Sequence, residues 1–131
     1  MGIRASRTAR PTRDLAAVRG FYEHLVGLPV LFEFADHDGF DGVVFGLPDE
    51  RAQLELVRAP DADVAPRPTV EDLQVLYFDD EGSRAEVLHR LADGGALPLA
   101  PDDPTVNPYW PATGALVVVD PDGYRLVLSL G

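Results

Sequence analysis

The sequence predicts an α+β fold in which two βαβββ modules form a curled, eight-stranded mixed sheet. Three observations lead to this prediction. A helical segment that stops at Gly27 precedes three short strands, a second helical segment stops at Gly94, and the chain closes on a β-hairpin. The two stops lie 67 residues apart, about half of the 131-residue chain, which favours a duplicated module.

Residues 1–58 are expected to form the first module. Apolar and polar residues alternate over residues 3–11, which predicts a strand, and Thr12 is expected to cap the helix that follows. Gly27 suits a helix end because a positive φ is wanted there. Three further strands are predicted over residues 30–35, 43–46 and 52–57. In the first of these, Val30, Phe32 and Phe34 are expected on one side, and His37 begins the turn after it.

Residues 59–70 are expected to connect the modules, since Pro60, Pro66 and Pro68 exclude a regular element. Residues 71–131 then repeat the pattern with a strand over 73–78 and a helix over 83–92. In that helix Ala85, Leu88, Leu91 and Ala92 are expected to face inward. A short strand over 97–99 and an irregular proline-rich loop over 100–111 lead to the closing hairpin.

The hairpin is the clearest local signal. Residues 116–119 are an apolar, mostly β-branched run, residues 120–123 (Asp-Pro-Asp-Gly) suit a tight turn, and residues 124–130 return as a second strand. A chain of 131 residues is expected to form a single domain over residues 1–131 with a substantial core.

Composition excludes several classes of function. The chain has no cysteine, so disulfides, thiolate metal sites and cysteine nucleophiles are excluded. Its net charge of -11 argues against nucleic acid as a partner, because a phosphate backbone needs a basic surface. No apolar run suits a membrane span or a signal peptide, so we expect a cytoplasmic protein. The acidic surface leaves open a preference for cationic ligands.

Two motifs make the chain resemble the vicinal oxygen chelate superfamily, which includes glyoxalase I, extradiol dioxygenases and bleomycin-resistance proteins. The first runs from Asp14-Leu15 through Phe21-Tyr22 to the end of the helix at residues 25–28. The second is the hairpin turn with the apolar strand after it. Together they span nearly the whole chain. The resemblance implies that the strands curl around a ligand-binding face, and that two chains form a homodimer.

The resemblance also implies where a metal would bind. Metal-dependent members carry ligands on four strands, and the aligned positions here are Arg7, Glu55, Leu73 and Val127. Only Glu55 is a plausible ligand, whereas a divalent ion needs about three protein donors. His24 and His89 fall on predicted helices and His37 in a turn, so none completes the set. We therefore expect neither a metal nor another cofactor.

Arg7 and Glu55 are instead expected to form an ion pair if both face the cavity. Burying either charge alone would cost several kcal/mol, which favours pairing. A clamp between strands and a ligand contact are equally compatible with such a pair. A separation above about 6 Å would contradict it.

Aromatic residues indicate what the cavity could bind. Trp110 and Tyr109 lie between prolines, where no strand or helix face is expected to need their rings, although both could instead plug the barrel. Stacking on such rings suits a flat, polycyclic ligand. The expected ligand-binding residues are Arg7, Phe32, Phe34, Phe40, Glu55, Tyr77, Asn107, Tyr109 and Trp110.

The resemblance includes a precedent, because some members sequester bleomycin, mitomycin or enediyne compounds without a metal. The sequence therefore favours a metal-independent protein that sequesters an aromatic antibiotic, in the self-resistance of a producing bacterium. Two alternatives stay open. One is an enzyme of the superfamily, a lyase, isomerase or dioxygenase, that uses Glu55 as a base or partial metal ligand. The other is a protein whose cavity is filled by its own side chains.

Overall fold

The structure is a computed structural model that describes residues 1–131. These residues form two compact units, Met1–Pro66 and Arg67–Gly131. Each unit contains its own β-sheet, and none of the helices combines the length and the apolar character that a membrane crossing needs. The predicted α+β class is confirmed. The predicted number of strands is wrong, because the structure has seven strands and not eight.

The first unit has the predicted βαβββ order. Its elements are β1 (Ser6–Pro11), α1 (Leu15–Gly20), a π-helical continuation (Phe21–Val26), β2 (Val30–His37), β3 (Phe40–Gly46) and β4 (Ala52–Arg58). The strand order is β1-β4-β3-β2, with β1 and β4 parallel and the other neighbours antiparallel. β1 begins at Ser6 rather than at residue 3, because its partner β4 begins at Ala52, directly opposite.

The first helix is capped by Asp14 and not by Thr12. The Asp14 carboxylate accepts a hydrogen bond from Ala17 N at 3.0 Å, which satisfies a donor of the first turn. The Thr12 hydroxyl instead accepts from Asp14 N at 3.2 Å, before the helix begins. At the far end Gly27 has a φ of 88°, and its N–H donates to Tyr22 O at 3.0 Å. The predicted glycine stop is therefore confirmed.

Alternate strand residues bury the core beneath this helix. Val43 and Phe45 of β3 pair with Leu56 and Leu54 of β4, and all four side chains are buried. The ring of Tyr22, from the π-helical continuation, lies 6.1 Å from the Phe45 ring. Successive side chains of a strand point to opposite faces. The residues between these core positions therefore face away from α1.

A β-bulge changes which side chains of β2 share a face. Val30 pairs with Phe45 on the core side, whereas Phe32 pairs with Val44 on the other side. The prediction that Val30, Phe32 and Phe34 share one side is therefore wrong for Val30. The physical reason is the extra residue of the bulge, which shifts the alternation along the strand.

The second unit repeats this strand order with one strand fewer. Its elements are β5 (Leu73–Tyr77), α2 (Glu81–Asp93), α3 (Tyr109–Ala112), β6 (Leu116–Val119) and β7 (Arg125–Ser129). The strand order is β5-β7-β6, in which β5 runs parallel to β7 and β6 runs antiparallel to it. These strands correspond to β1, β4 and β3 of the first unit, and no counterpart of β2 forms.

The short strand predicted over residues 97–99 is absent. One backbone hydrogen bond joins this segment to β6, from Leu99 N to Val117 O at 2.8 Å. N–H groups alternate sides along a strand, so the next one pointing to β6 would belong to residue 101, which is a proline and has none. A ladder of strand hydrogen bonds therefore cannot extend along the segment.

Helix α2 begins earlier than predicted, and one residue expected to face inward does not. Asp80 caps the helix by accepting a hydrogen bond from Ser83 N at 2.7 Å. Leu91 is buried as expected, but Ala85 is exposed and Val87 is buried instead. Val87 and Leu91 lie four residues apart and share a face, whereas Ala85 lies on another side of the helix.

The closing hairpin and the glycine stop before it are both confirmed. Gly95, directly after the last turn of α2, has a φ of 86°. β6 and β7 pair antiparallel on either side of residues 120–123. The buried Asp120 carboxylate accepts hydrogen bonds from Asp122 N and Tyr124 N, both at 2.9 Å, and so holds the turn.

Candidate functional site

Five side chains meet on the side of the first sheet that faces away from α1, here called the aromatic face. They are Arg7 of β1, Phe32 and Phe34 of β2, and Gln53 and Glu55 of β4. Strand register explains the grouping, because Arg7 pairs with Gln53, and Phe32 lies opposite Val44, which pairs with Glu55. The bulge in β2 is what turns Phe32 towards this side.

Arg7 is held by three contacts on the aromatic face. Its Nε donates to Gln53 Oε1 at 2.9 Å, and its Nη1 donates to Glu55 Oε1 at 3.1 Å. The guanidinium carbon lies 5.1 Å from the centre of the Phe32 ring, within the range of a cation–π contact. The expected ion pair between Arg7 and Glu55 is therefore confirmed. Gln53, which sequence reasoning did not single out, completes the arrangement.

The Phe34 ring lies directly over Gly42 of the neighbouring strand. A Cβ placed on Gly42 would come within 2.3 Å of the ring, so only glycine leaves room for it. The His37 ring makes an edge contact with Phe34 at 6.4 Å between centroids. The prediction of His37 in a turn is wrong, since β2 extends to His37. His37 pairs with Phe40 across the hairpin after a register shift, and the sequence alone does not predict that shift.

Phe40 lies at the end of the same face. It alternates with Gly42 along β3, and its side chain is 39% exposed. Four of the residues predicted to bind ligand, Arg7, Phe32, Phe34 and Glu55, are therefore neighbours, and Phe40 extends their surface towards the hairpin.

The second sheet has a different surface at the matching positions. One row of paired residues crosses its three strands, and it consists of Val75, Val127 and Val117. The matching row of the first sheet consists of Ala9, Glu55 and Val44. We call the side of the second sheet that carries the three valines the valine face. The row of three valines has no charged group, whereas the matching row of the first sheet has the carboxylate of Glu55.

Trp110 packs against the core of the second unit. Asn107 Oδ1 accepts from Tyr109 N at 3.0 Å and Pro108 suits a first helical turn, so α3 forms within the segment predicted to be irregular. Trp110 is partly buried against a cluster on the valine face. That cluster consists of Val106, Ala115, Val117 and Val127. The expectation that no helix or strand face needs this ring is therefore wrong.

The remaining predicted ligand-binding residues also lie in the second unit. Tyr77 and Tyr109 are 67% and 61% exposed, and Tyr109 meets the Trp110 ring edge-on at 4.9 Å between centroids. Asn107 uses its side-chain oxygen in the turn before α3. Contact of Tyr77, Asn107, Tyr109 or Trp110 with a ligand stays a prediction.

The positions that the resemblance aligns with metal ligands do not fit a metal ion. Glu55 is paired with Arg7, whose charge would repel a divalent cation, and Leu73 and Val127 have no donor atom in their side chains. No three His, Cys, Asp or Glu side chains lie close enough together to hold an ion. A metal site needs about three such donors. The aromatic face therefore offers a ligand hydrogen bonds and ring contacts.

A cavity of about 690 Å³ lies beside the start of α1, and six of the eleven residues that line it are charged. Two of its three cations, Arg19 and Arg58, are paired with carboxylates of the same unit. Arg19 binds Glu33 and Glu23, and both contacts raise the pKa of Arg19. The pKa of Asp41 is lowered first by the hydrogen bond from Asp36 N and then by Arg58. These pairs make the cavity a solvated ionic surface.

The duplicated topology gives the chain the glyoxalase fold. FosX, a fosfomycin resistance protein from Mesorhizobium loti, has a TM-score of 0.69 at 12% identity, over 96% of this chain and 90% of FosX. TnmS3, an antibiotic-binding protein from Streptomyces sp. CB03234, has a TM-score of 0.68 at 22% identity, over 98% of this chain and 97% of TnmS3. At these identities the similarity shows the fold alone.

The chain belongs to the YycE-like family. Residues 6–57 match the YycE-like N-terminal domain and residues 71–129 match the YycE-like C-terminal domain. The chain is 36% identical to the uncharacterized protein YycE of Bacillus subtilis (strain 168) over 121 residues, which cover 92% of this chain and 84% of that protein. A crystal structure of a YycE protein of unknown function from Bacillus subtilis has a TM-score of 0.86 at 32% identity, over 98% and 90% of the two chains.

Proposed function

We propose that this protein binds an aromatic or polycyclic small molecule, of the antibiotic type, on its aromatic face and sequesters it without altering it. The observation that carries the proposal is Phe32, whose side chain is 46% exposed and in contact with the fixed guanidinium of Arg7. A flat ligand laid on this ring would remove apolar surface from water and add a stacking contribution of roughly 0.5 to 1.5 kcal/mol.

The rigidity of the aromatic face supports the proposal. Phe34 is positioned by its contact with Gly42, and Arg7 is positioned by Gln53 and Glu55. Side chains that are already ordered lose little entropy when a ligand binds. Two or three ring contacts together with apolar burial could therefore reach micromolar affinity, or about -8 kcal/mol.

The comparisons support the choice of ligand class. TnmS3, which shares the fold, is an antibiotic-binding protein, and the aligned positions here lack the donors that metal-dependent chemistry would need. The proposal includes a homodimer, which the resemblance implies, and the expected location in the bacterial cytoplasm. The corresponding role would be self-resistance of a bacterium that makes the compound.

Calorimetric titration with bleomycin, mitomycin and an enediyne compound tests the proposal. We expect one of them to bind the wild type, and Phe32→Ala to weaken that binding about tenfold, because one stacked ring and its buried area are lost. Leu97→Ala is the matched control, since it removes a side chain that is 69% exposed in the second unit, and we expect it to bind as the wild type does. Equal affinity of Phe32→Ala and wild type, or no binding of any compound, would contradict the proposal.

A further inference from the structure

The Arg7–Glu55 pair leaves one donor group and one acceptor unused. Arg7 donates from Nε to Gln53 and from Nη1 to Glu55, and its Nη2 makes no hydrogen bond within the chain. Glu55 accepts from Arg7 at Oε1, and its Oε2 accepts no hydrogen bond. The side chains of Arg7 and Glu55 are 39% and 17% exposed, so each keeps part of its surface open to a ligand. A guanidinium donor and a carboxylate acceptor therefore lie side by side on the aromatic face.

The charge of the pair determines which ligand groups it favours. Arg7 and Glu55 carry opposite charges 3.1 Å apart, so their combined charge is zero. An anionic group would be attracted by Arg7 and repelled by Glu55, and a cationic group would meet the reverse. A neutral group that carries an acceptor beside a donor can satisfy both without that penalty.

The position of the pair adds a geometric requirement. The Arg7 guanidinium contacts the Phe32 ring at 5.1 Å, so a ligand that stacks on the exposed part of Phe32 brings its edge next to Arg7 and Glu55. The polar group must therefore lie on the edge of a flat ring system.

We infer that the ligand is an uncharged, planar aromatic compound with an acceptor and a donor together on one edge, as in a carboxamide, a lactam or a hydroxyketone. Arg7 donates to its acceptor, and Glu55 accepts from its donor. This inference rests on the proposed function and specifies the class of ligand for the same site. The ion pair, placed where relatives carry metal ligands, acts here as a built-in recognition element for a neutral group.

Three nearly isosteric probes test the inference: 2-naphthamide, 2-naphthoate and 2-methylnaphthalene. Binding to uniformly ¹⁵N-labelled protein is measured from amide shifts of β1 to β4. We expect 2-naphthamide to bind about threefold to tenfold more tightly than each of the other two, because it makes two more hydrogen bonds than the hydrocarbon and avoids the charge of Glu55.

Charge-changing variants make the test specific. Glu55→Gln should raise the affinity for 2-naphthoate relative to 2-naphthamide, because the charge of Arg7 is then uncompensated. Arg7→Gln should lower the affinity for both polar probes and change the affinity for 2-methylnaphthalene less. Arg58→Gln is the matched control. It breaks an ion pair with Asp41 across neighbouring strands on the other side of the same sheet, so probe affinities should stay within twofold of wild type. Circular dichroism establishes that each variant is folded.

The outcomes separate this inference from the proposed function. If the three probes bind equally tightly and shift amide signals of β1 to β4, the inferred class of ligand is wrong, but the proposal of a binding site on the aromatic face stands. Tightest binding of 2-naphthoate to the wild type would overturn it in favour of an anionic ligand. Absence of shifts with all three probes would overturn the proposed function, and the ligand class with it.

Discussion

The two units build the same strand order but differ in what covers the matching side of each sheet. On the aromatic face of the first unit, Phe32 and Arg7 stay partly exposed. On the valine face of the second, Val117 and Val127 are buried beneath Leu99 and Trp110 of the same unit. One copy of a duplicated fold can thus cover this side of the sheet with its own side chains, while the other leaves Phe32 and Arg7 partly exposed on it.

The difference begins with one missing strand. In the first unit the chain returns as β2, which places Phe32 and Phe34 beside β3. In the second unit Pro101 interrupts the matching ladder of hydrogen bonds, and the segment between α2 and β6 forms α3 and packs Trp110 on the sheet. A change in backbone hydrogen bonding therefore determines whether aromatic rings extend a surface or fill a core.

Of the changes that test this difference between the two faces, replacing Trp110 should have the largest effect on stability. Trp110→Ala removes a ring packed against the valine face and should lower the free energy of unfolding by about 2 to 4 kcal/mol, because it leaves a cavity. Phe32→Ala, the counterpart on the aromatic face, should cost less than about 1 kcal/mol, since its ring is already half exposed. Urea unfolding measures both. If Phe32→Ala lowers the free energy of unfolding as much as Trp110→Ala does, the aromatic face and the valine face do not differ as described.

Filling Gly42 should have an intermediate effect. Gly42→Ala forces the Phe34 ring off its position and should lower the free energy of unfolding by about 1 to 3 kcal/mol. It should also weaken ligand binding on the aromatic face. Gly20→Ala is the control, because its added methyl meets no atom within 4 Å and the residue is helical. Gly20→Ala should raise the free energy of unfolding by about 0.5 to 1 kcal/mol. If Gly42→Ala keeps wild-type stability and ligand affinity, the Phe34 position does not matter to the aromatic face.

The smallest effect is expected at the helix cap of the second unit. The pKa of Asp80 is lowered, chiefly by the hydrogen bond from Ser83 N, so the ionised form is favoured in the folded state. Its contribution is therefore complete above the usual value of about 3.9 and is lost as the pH falls towards the lower folded value. Asp80→Asn keeps a capping oxygen but not the charge.

Urea unfolding at pH 6 and pH 3 tests this last prediction. The difference in the free energy of unfolding between wild type and Asp80→Asn should favour the wild type at pH 6 and shrink at pH 3. A difference that is the same at both values would mean that the Asp80 charge does not stabilise α2.

Resemblance and local pattern together predict much of the candidate site. The aligned positions predict the Arg7–Glu55 pair, whose charged atoms lie 3.1 Å apart, and strand alternation places Phe32 and Phe34 on one face, which they share. His37 and Gln53 escape such reasoning, because their roles depend on the strand register. The packing of Trp110 escapes it too, since its partners Val117 and Val127 come later in the chain and cannot be read from its neighbours.

Sequence alone determined the features that depend on a few adjacent residues. Gly27 ends a helix because glycine tolerates a positive φ, and residues 120–123 turn the chain because an aspartate side chain holds the turn. Leu54 and Leu56 are buried because side chains alternate along a strand. Only the tertiary structure decided the bulge that turns Phe32 outward and the packing of Trp110 on the valine face. Both depend on contacts between segments far apart in the chain, whose energies no local pattern records.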